Sequence, residues 1–130
     1  MVKLYEGCKD ILKNKIYFDE KTTHVYEVDD EIIGYFSLKP MLGCLNIDYE
    51  LLESYRNKGM GNKFLENITD YAAKKYADIE KLMLLIEYNN IKSKKIAEQN
   101  GYDIDYSIFV DGESELHNTN VYTKKNRYYK

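Results

Sequence analysis

The sequence predicts a single α/β domain with a mixed sheet that starts antiparallel and contains one parallel β–α–β crossover. Three observations predict this class. Apolar and polar residues alternate from Thr23 to Val28 and, with a period of two, from Leu45 to Leu51, the spacing becomes helical after Asn62, and the apolar run Leu82 to Ile86 follows. Such a run is typical of a strand covered on both faces, as parallel strands in α/β units are.

The first half of the chain predicts three antiparallel strands. The first two, Thr23 to Val28 and Ile32 to Leu38, flank an acidic turn and form a hairpin. Pro40 and Gly43 are expected to break the chain, and the alternation from Leu45 to Leu51 predicts the third strand. The residues before Thr23 predict at most one short helix, around Ile11 and Leu12.

The second half predicts two helices and a closing hairpin. Helical spacing indicates a helix of about four turns from Asn62 to Tyr76. A shorter helix is predicted over Ile91 to Gln99, with Asn89 and Asn90 as capping residues before it and Asn100-Gly101 as its stop. Two alternating segments, Tyr102 to Val110 and Val121 to Tyr129, then surround a turn at Asp111-Gly112.

Composition and charge exclude several classes of function. A hydrophobic fraction of 44% and a single proline indicate a folded domain, and the formal net charge of −3 provides no overall positive field for nucleic acid or an anionic membrane. No stretch approaches the roughly 20 apolar residues of a membrane span. Any anionic ligand must therefore be held by a local site.

The cysteines and histidines predict neither a disulfide framework nor a metal site. Cys8 and Cys44 have no ligand spacing, and His24 and His117 are isolated. We therefore expect free thiols, a cytoplasmic location and no bound metal. The basic residues Lys124, Lys125, Arg127 and Lys130 are expected to form a solvated edge.

The segment from Leu51 to Asn62 carries the clearest chemical signal, because it leaves a strand and enters a helix. The first N–H groups of a helix lack internal partners and attract an anion. Gly59 and Gly61 allow close approach and positive φ angles, while Arg56 and Lys58 add charge. A pyrophosphate would fit this loop, although the same pattern also suits a tight turn followed by a helix cap.

These residues resemble a known family. The pattern Arg56-x-x-Gly59-x-Gly61 is similar to the coenzyme A pyrophosphate loop of the GNAT acetyltransferases, and the segment from Asn90 through Ser93 and Ala97 to Gly101-Tyr102 resembles that family's next signature. Ile47 to Leu51 and Ser93 resemble the branch that acetylates protein N-termini and ribosomal proteins. The resemblance covers Ile32 to Tyr102.

The resemblance implies a GNAT-like acyl-CoA N-acyltransferase fold in which the two central strands splay apart, through a bulge, to admit acetyl-CoA. It implies that backbone near Leu51 to Glu53 pairs with pantetheine and that an N–H near Leu52 polarises the thioester carbonyl. The residues implied to bind the cosubstrate are Leu51, Leu52, Glu53, Arg56, Asn57, Lys58, Gly59, Met60, Gly61, Asn62, Asn90 and Ser93.

Acid and base roles are implied less directly. Many family members carry a tyrosine acid where this chain has Ala97, and the related branch uses a serine that matches Ser93. Asn46 stands where that branch often has glutamate. Unlike a glutamate, the asparagine side chain cannot take a proton. Asp48 and Glu50 on the same strand face, or Glu87 on the next strand, could act as the base, as could a water relay.

The predicted activity is direct transfer of acetyl from acetyl-CoA to a primary amine on a protein N-terminus, a lysine or a small molecule. The chain, 1–130, is read as one domain with a shortened N-terminal region, acting as a monomer or homodimer. Three alternatives stay open: a non-catalytic acetyl-CoA-binding module, an enzyme for polyamines or aminoglycosides, and a nucleotide phosphate binder. The last lacks the Lys and Ser or Thr that a triphosphate and Mg²⁺ require.

Overall fold

A computed structural model describes residues 1–6, 23–41, 43–108 and 119–130. Over these ranges the chain forms a mixed sheet of seven strands with two α-helices on one face. The elements in chain order are β1 (Val2–Glu6), β2 (Thr23–Val28), β3 (Glu31–Met41), β4 (Cys44–Leu51), α1 (Gly61–Lys75), β5 (Lys81–Glu87), α2 (Ile91–Gln99), β6 (Asp103–Ile108) and β7 (Thr119–Lys125).

The sheet has the predicted mixed topology. Its strand order is β1-β2-β3-β4-β5-β7-β6, and α1 forms the crossover between the parallel neighbours β4 and β5. Every other neighbouring pair in the described sheet is antiparallel. A parallel pair needs such a crossover, because its strands start at the same edge of the sheet. The α/β prediction is thereby confirmed.

The strand breaks differ from the sequence prediction in two places. β3 continues through Pro40 to Met41, because Pro40 lies opposite Leu45 at a position whose backbone points away from β4, so its missing N–H removes no hydrogen bond of that pair. β7 ends at Lys125, and the next residue, Asn126, turns its buried side chain to the end of α1. The expected helix around Ile11 and Leu12 and the turn at Asp111-Gly112 lie outside the described residues.

Asn126 fixes the C-terminal end of α1. Its amide nitrogen donates to the carbonyls of Ala73, Tyr76 and Ile79 at 3.0–3.1 Å, and its side-chain oxygen accepts from the Tyr128 N–H at 2.9 Å. The last carbonyls of a helix have no internal partner, so a buried donor there replaces water.

The core lies between the sheet and the two helices. The apolar face of α1 contributes Phe64, Leu65, Ile68 and Ala72, all essentially buried, and α2 contributes Ala97. Tyr102 follows α2 into the same core, where its hydroxyl pairs with Thr69 at 2.8 Å. This packing holds the N-terminus of α1 against the ends of β4 and β5.

Gly34 permits the closest contact between α1 and the sheet. A methyl group at this position would lie 2.7 Å from the Glu50 carbonyl oxygen and 2.9 Å from the Phe64 ring. The absence of a side chain therefore lets Phe64 pack directly over β3, where its ring also meets Tyr26 and Tyr49.

We expect Gly34→Ala to destabilise the protein by about 1–3 kcal/mol, because the added carbon overpacks backbone and ring that cannot move independently. The free energy of unfolding in urea measures the effect. Lys39→Ala, an exposed change in the same strand, should stay within about 0.5 kcal/mol of the wild type. Equal stability of the two variants would contradict the close-packing role of Gly34.

Candidate active site

The candidate site begins where β4 and β5 separate. The two strands pair in parallel only at Cys44, Leu45 and Asn46, opposite Lys81 to Met83, although both continue for several residues. The ladder between β4 and β3 stays continuous from Cys44 to Leu51. The predicted splay is therefore confirmed, but the β3–β4 register contains no bulge that would produce it.

The register shows which backbone groups face the gap. The Leu52 N–H donates to the Ile33 carbonyl at 2.8 Å, so the even-numbered residues of β4 point their N–H and C=O groups toward β3. The odd-numbered residues point theirs the other way. Tyr49 and Leu51 therefore direct their backbone N–H groups toward the gap, where β5 provides no paired strand.

The expectation that an N–H near Leu52 polarises a carbonyl in the gap stays a prediction, and the register bears on which N–H that would be. The Leu52 N–H is already bonded within the sheet. Hydrogen-bonding direction alternates along a strand. The backbone N–H groups that face the gap are therefore those of Leu51, one residue before Leu52, and of Tyr49, three residues before it.

A cleft of about 760 Å³ opens from this gap toward the start of α1. The helix begins after Met60 without a capping side chain and without an acidic residue in its first turn. Its first N–H groups thus face the cleft with the positive end of the helix dipole. Such a terminus is suited to a phosphate or pyrophosphate.

The loop before α1 uses two left-handed residues, Asn57 with φ 61° and Gly59 with φ 74°. A side chain at Gly59 would meet no atom within 4 Å, so its backbone conformation, rather than space, favours glycine there. Gly61 differs from the expectation because its φ angle is not positive. A methyl group on Gly61 would lie 2.8 Å from the Ile96 side chain, so this glycine lets α1 and α2 approach.

Helix α2 forms the opposite wall of the cleft. Asn90 is its N-cap, since its side-chain oxygen accepts from the Ser93 N–H at 3.1 Å. Lys92 donates to the Asn57 side chain and so joins the helix to the loop. At the other end, the Asn100 amide donates to the Asn62 side chain at 2.7 Å. The second helix is thereby held across the start of the first.

The Arg56 side chain lines the cleft and turns back toward the end of β4. Its Nε donates to the Leu51 carbonyl at 2.9 Å and its Nη2 pairs with Glu50 at 2.7 Å. The other carboxylate oxygen of Glu50 accepts from the Tyr35 hydroxyl at 2.9 Å. Both Glu50 oxygens are engaged, so this group braces the end of β4.

Asp48 has a different environment on the same strand face. Its side chain keeps an exposed surface, and the Asn46 amide donates to its Oδ2 at 3.1 Å. The surrounding protein raises the pKa of the Asp48 carboxyl by desolvation, and the hydrogen bond from Asn46 lowers it in part. Asn46 itself is 5% exposed, and its Oδ1 has no hydrogen-bond partner among the described residues.

The structure gathers most of the sequence-predicted residues around one cleft. Those that line it are Glu50, Leu51, Arg56, Asn57, Gly59, Met60, Gly61, Asn62, Asn90 and Ser93. Five others do not line it: Asp48, Leu52, Glu53, Lys58 and Glu87. Glu87 is exposed at the end of β5 and lies outside the lining.

Sequence reasoning missed several lining residues, among them Tyr49, Lys92 and Lys95. Tyr49 lies in an alternating strand segment, and strand alternation cannot reveal that β5 leaves its edge. The two lysines follow Asn90 in α2, where helical spacing places one next to the loop. Their proximity to a glycine loop more than 30 residues earlier depends on the fold.

Several other polar and aromatic residues lie away from the cleft lining. Tyr102 is fully buried, and Tyr106 lies on β6, at the far edge of the sheet. His24 is buried in β2 against Phe36 and Tyr71. Lys124 donates to the Asn100 carbonyl at 2.8 Å rather than lying free on a solvated edge. Cys8 and His117 are not among the described residues.

The described ranges lack two other kinds of feature. They contain no group of three or more histidine, cysteine, aspartate or glutamate side chains arranged to hold a metal ion. They also contain no helix with the length and apolarity needed to cross a membrane.

Comparison with known proteins identifies the family. The model of the acetyltransferase (GNAT) family matches residues 3–102. An uncharacterised N-acetyltransferase of Bacillus subtilis, YhfO, is 29% identical over 107 residues, which cover 77% of this chain and 70% of that protein.

Two solved structures share the fold. Spermidine N-acetyltransferase from Vibrio cholerae, in complex with CoA and spermine, has a TM-score of 0.67 at 16% identity. The match covers 82% of this chain and 66% of that protein. Ribosomal-protein-S5-alanine acetyltransferase from Vibrio fischeri has a TM-score of 0.66 at 20% identity. The match covers 83% of this chain and 63% of that protein. The chain thus spans slightly less than two thirds of each solved protein. The family match over most of its length shows that this chain belongs to the GNAT acetyltransferases.

Proposed function

We propose that this protein transfers the acetyl group of acetyl-CoA to a primary amine. The observation that carries the proposal is the separation of β4 from β5 beside the uncapped start of α1. Together these features offer a gap with unpaired backbone groups and, next to it, an anion site. An acyl group on a long, amide-containing arm that ends in a pyrophosphate has the matching chemistry.

The cleft residues support this fit. The backbone N–H groups of Tyr49 and Leu51 would pair with carbonyl oxygens of the acyl-carrying arm, as a missing strand would. The N–H groups at the start of α1 and the loop around Gly59 would hold the pyrophosphate. Lys92 and Lys95 line the same cleft and would add positive charge beside the phosphates.

We place the acceptor amine beside Asn46 and Asp48, at the last paired position before the strands separate. A buried amide oxygen without a partner is costly, and an N–H of the amine would satisfy it. Asp48 is then the base we favour over Glu50, because both oxygens of Glu50 are already bonded. Within the described part of the chain, Asp48 forms no ion pair with a lysine or arginine.

The acceptor class follows from the comparisons only as a proposal. One structural neighbour is a spermidine N-acetyltransferase and another is a ribosomal-protein-S5-alanine acetyltransferase. We favour a protein N-terminus, in line with the sequence resemblance at Ile47 to Leu51 and Ser93. A cytoplasmic setting is part of the proposal, since Cys44 is a free thiol.

Binding tests the cosubstrate site first. We expect saturable binding of acetyl-CoA in calorimetric titration and loss of at least about 100-fold in affinity for Gly61→Trp, because the indole would force α2 away from α1. Gly43→Trp, the same change in a turn outside the cleft lining, should bind normally. ATP provides a ligand control that shares the phosphates but lacks the acyl arm.

Two outcomes would change the assignment. No acetyl-CoA binding at millimolar concentration would contradict the proposed function. Binding without turnover on an N-terminal peptide, a lysine peptide or spermidine would instead favour the non-catalytic acetyl-CoA-binding module, which the presence of Asn46 in place of a glutamate allows.

The pH dependence tests the base. The amine must be neutral to attack, and the Asp48 carboxylate must be ionised to accept its proton. Because the Asp48 pKa is raised, its protonation should begin at a higher pH than for an ordinary carboxyl group. A plot of log kcat/KM against pH should therefore rise with slope two below this pKa and with slope one above it.

Asp48→Asn should remove the steeper acidic limb and lower kcat/KM by about 100-fold. Glu87→Gln is the control and should retain both the limb and the rate. If Glu87→Gln or Glu50→Gln removed the limb while Asp48→Asn retained it, the assignment of the base would be wrong.

A further inference from the structure

Two hydroxyl groups lie among the described residues that line the cleft, one on each wall. Tyr49 comes from β4 and Ser93 from the first turn of α2. The two side chains line the same cleft, and the Ser93 hydroxyl lowers the pKa of the Tyr49 phenol. Every other side chain of the lining is an amide, a charged group or an apolar group.

Packing holds both hydroxyls in place. The Tyr49 ring meets the buried Phe64 ring edge-on, with 5.6 Å between centroids, so its phenol is anchored on the core side of the cleft. Ser93 is positioned by the hydrogen bond from its N–H to the Asn90 side chain. A pair fixed from both walls is preorganised for a ligand between them.

The protonation state of Tyr49 determines whether its hydroxyl can donate a hydrogen bond. Burial raises the pKa of Tyr49 to about 12, so the phenol keeps its proton at neutral pH. The Ser93 contact lowers this pKa, as a hydroxyl that donates to the phenol oxygen does. A Ser93 hydroxyl that donates to the phenol oxygen would leave the Tyr49 O–H to donate into the cleft.

The proposed reaction creates a charge that such a donor would stabilise. The amine nitrogen bonds to the carbonyl carbon of the thioester, the carbon–sulfur bond breaks, and sulfur departs with the bonding electrons as a thiolate. The amine proton goes to Asp48. A free thiol has a pKa of about 8.5, well below that of Tyr49, so the phenol would stabilise the thiolate by hydrogen bonding without losing its proton.

Neighbouring groups are less suited to this task. Tyr102 is fully buried, is absent from the cleft lining, and pairs with Thr69. Ala97, one turn after Ser93, has no polar side-chain atom and is fully buried.

We propose that Tyr49 is a catalytic residue that donates a hydrogen bond to the departing sulfur, while Ser93 donates to Tyr49 and positions it. This inference rests on the proposed acetyl transfer. The group that stabilises the departing sulfur then lies on strand β4, and Ser93 of α2 acts through Tyr49.

The test measures the thiol of bound CoA and needs no acceptor. Wild type and Tyr49→Phe are saturated with CoA, and thiolate absorbance is followed between about pH 6 and 10. Identical titrations without CoA are subtracted to remove the protein's own cysteines and tyrosines. A donor to the sulfur stabilises the thiolate, so we expect the pKa of the bound thiol to be about one unit higher in Tyr49→Phe.

Two further variants sharpen the result. Tyr128→Phe removes another hydroxyl with a hydrogen bond, to Asp70 at 2.8 Å, and lies outside the cleft lining, so its bound thiol should titrate as in the wild type. Ser93→Ala should raise the thiol pKa by less than Tyr49→Phe does, since it removes only the indirect donor. Ser93→Ala also tests the pair if Tyr49→Phe does not fold.

The outcomes separate the two proposals. Equal thiol pKa values in wild type and Tyr49→Phe, with CoA bound to both, would overturn the role of Tyr49 and leave acetyl transfer intact. Failure of the wild type to bind CoA would overturn both. With an acceptor in hand, Tyr49→Phe should lower kcat by about 10- to 100-fold while the acetyl-CoA Kd changes less than about twofold.

Discussion

The site depends on the loss of strand pairing between β4 and β5 after Asn46 and Met83. A sheet normally satisfies every backbone N–H and C=O of its inner strands, and here the ladder stops while β4 continues for several residues. The register then directs the backbone of Tyr49 and Leu51 into the opening. An extended ligand with amide groups completes such an edge, so the opening in the sheet and the choice of ligand follow from one constraint.

The two helices convert this opening into a cleft with an anion site. α1 starts beside the gap with its first N–H groups uncapped, and α2 is held across that start by Gly61 against Ile96 and by Asn100 against Asn62. The glycines of the loop therefore have different purposes. Gly59 provides a left-handed backbone, whereas Gly61 sets the distance between the helices and hence the width of the cleft.

Much of the fold could be predicted from sequence because its signals are local. The hairpin of β2 and β3, the helix Ile91–Gln99 and its stop at Gly101 each depend on periodicity and capping within a few residues. The arrangement of side chains within the site could not. That Arg56 turns back to Glu50, that Leu52 bonds toward β3, and that Tyr49 and Ser93 line one cleft depend on contacts between strands, the loop and α2. A motif can indicate which residues surround a ligand, but not which already have partners.

Positive and negative groups lie on different sides of β4, the positive groups at the cleft and the Asp48 carboxylate outside its lining. The chain is acidic overall, yet among the described residues that line the cleft Glu50 is the one carboxylate, and Arg56 pairs with it. The uncompensated charges at that wall are the lysines of α2 and the start of α1, which favour an anion. Asp48 lies outside this lining, on the opposite face of β4 from the core side chains, and the strand's period of two keeps it away from the phosphates. One strand can therefore present backbone groups to a negatively charged cosubstrate and a carboxylate to a positively charged acceptor, because the two sets of groups point in different directions.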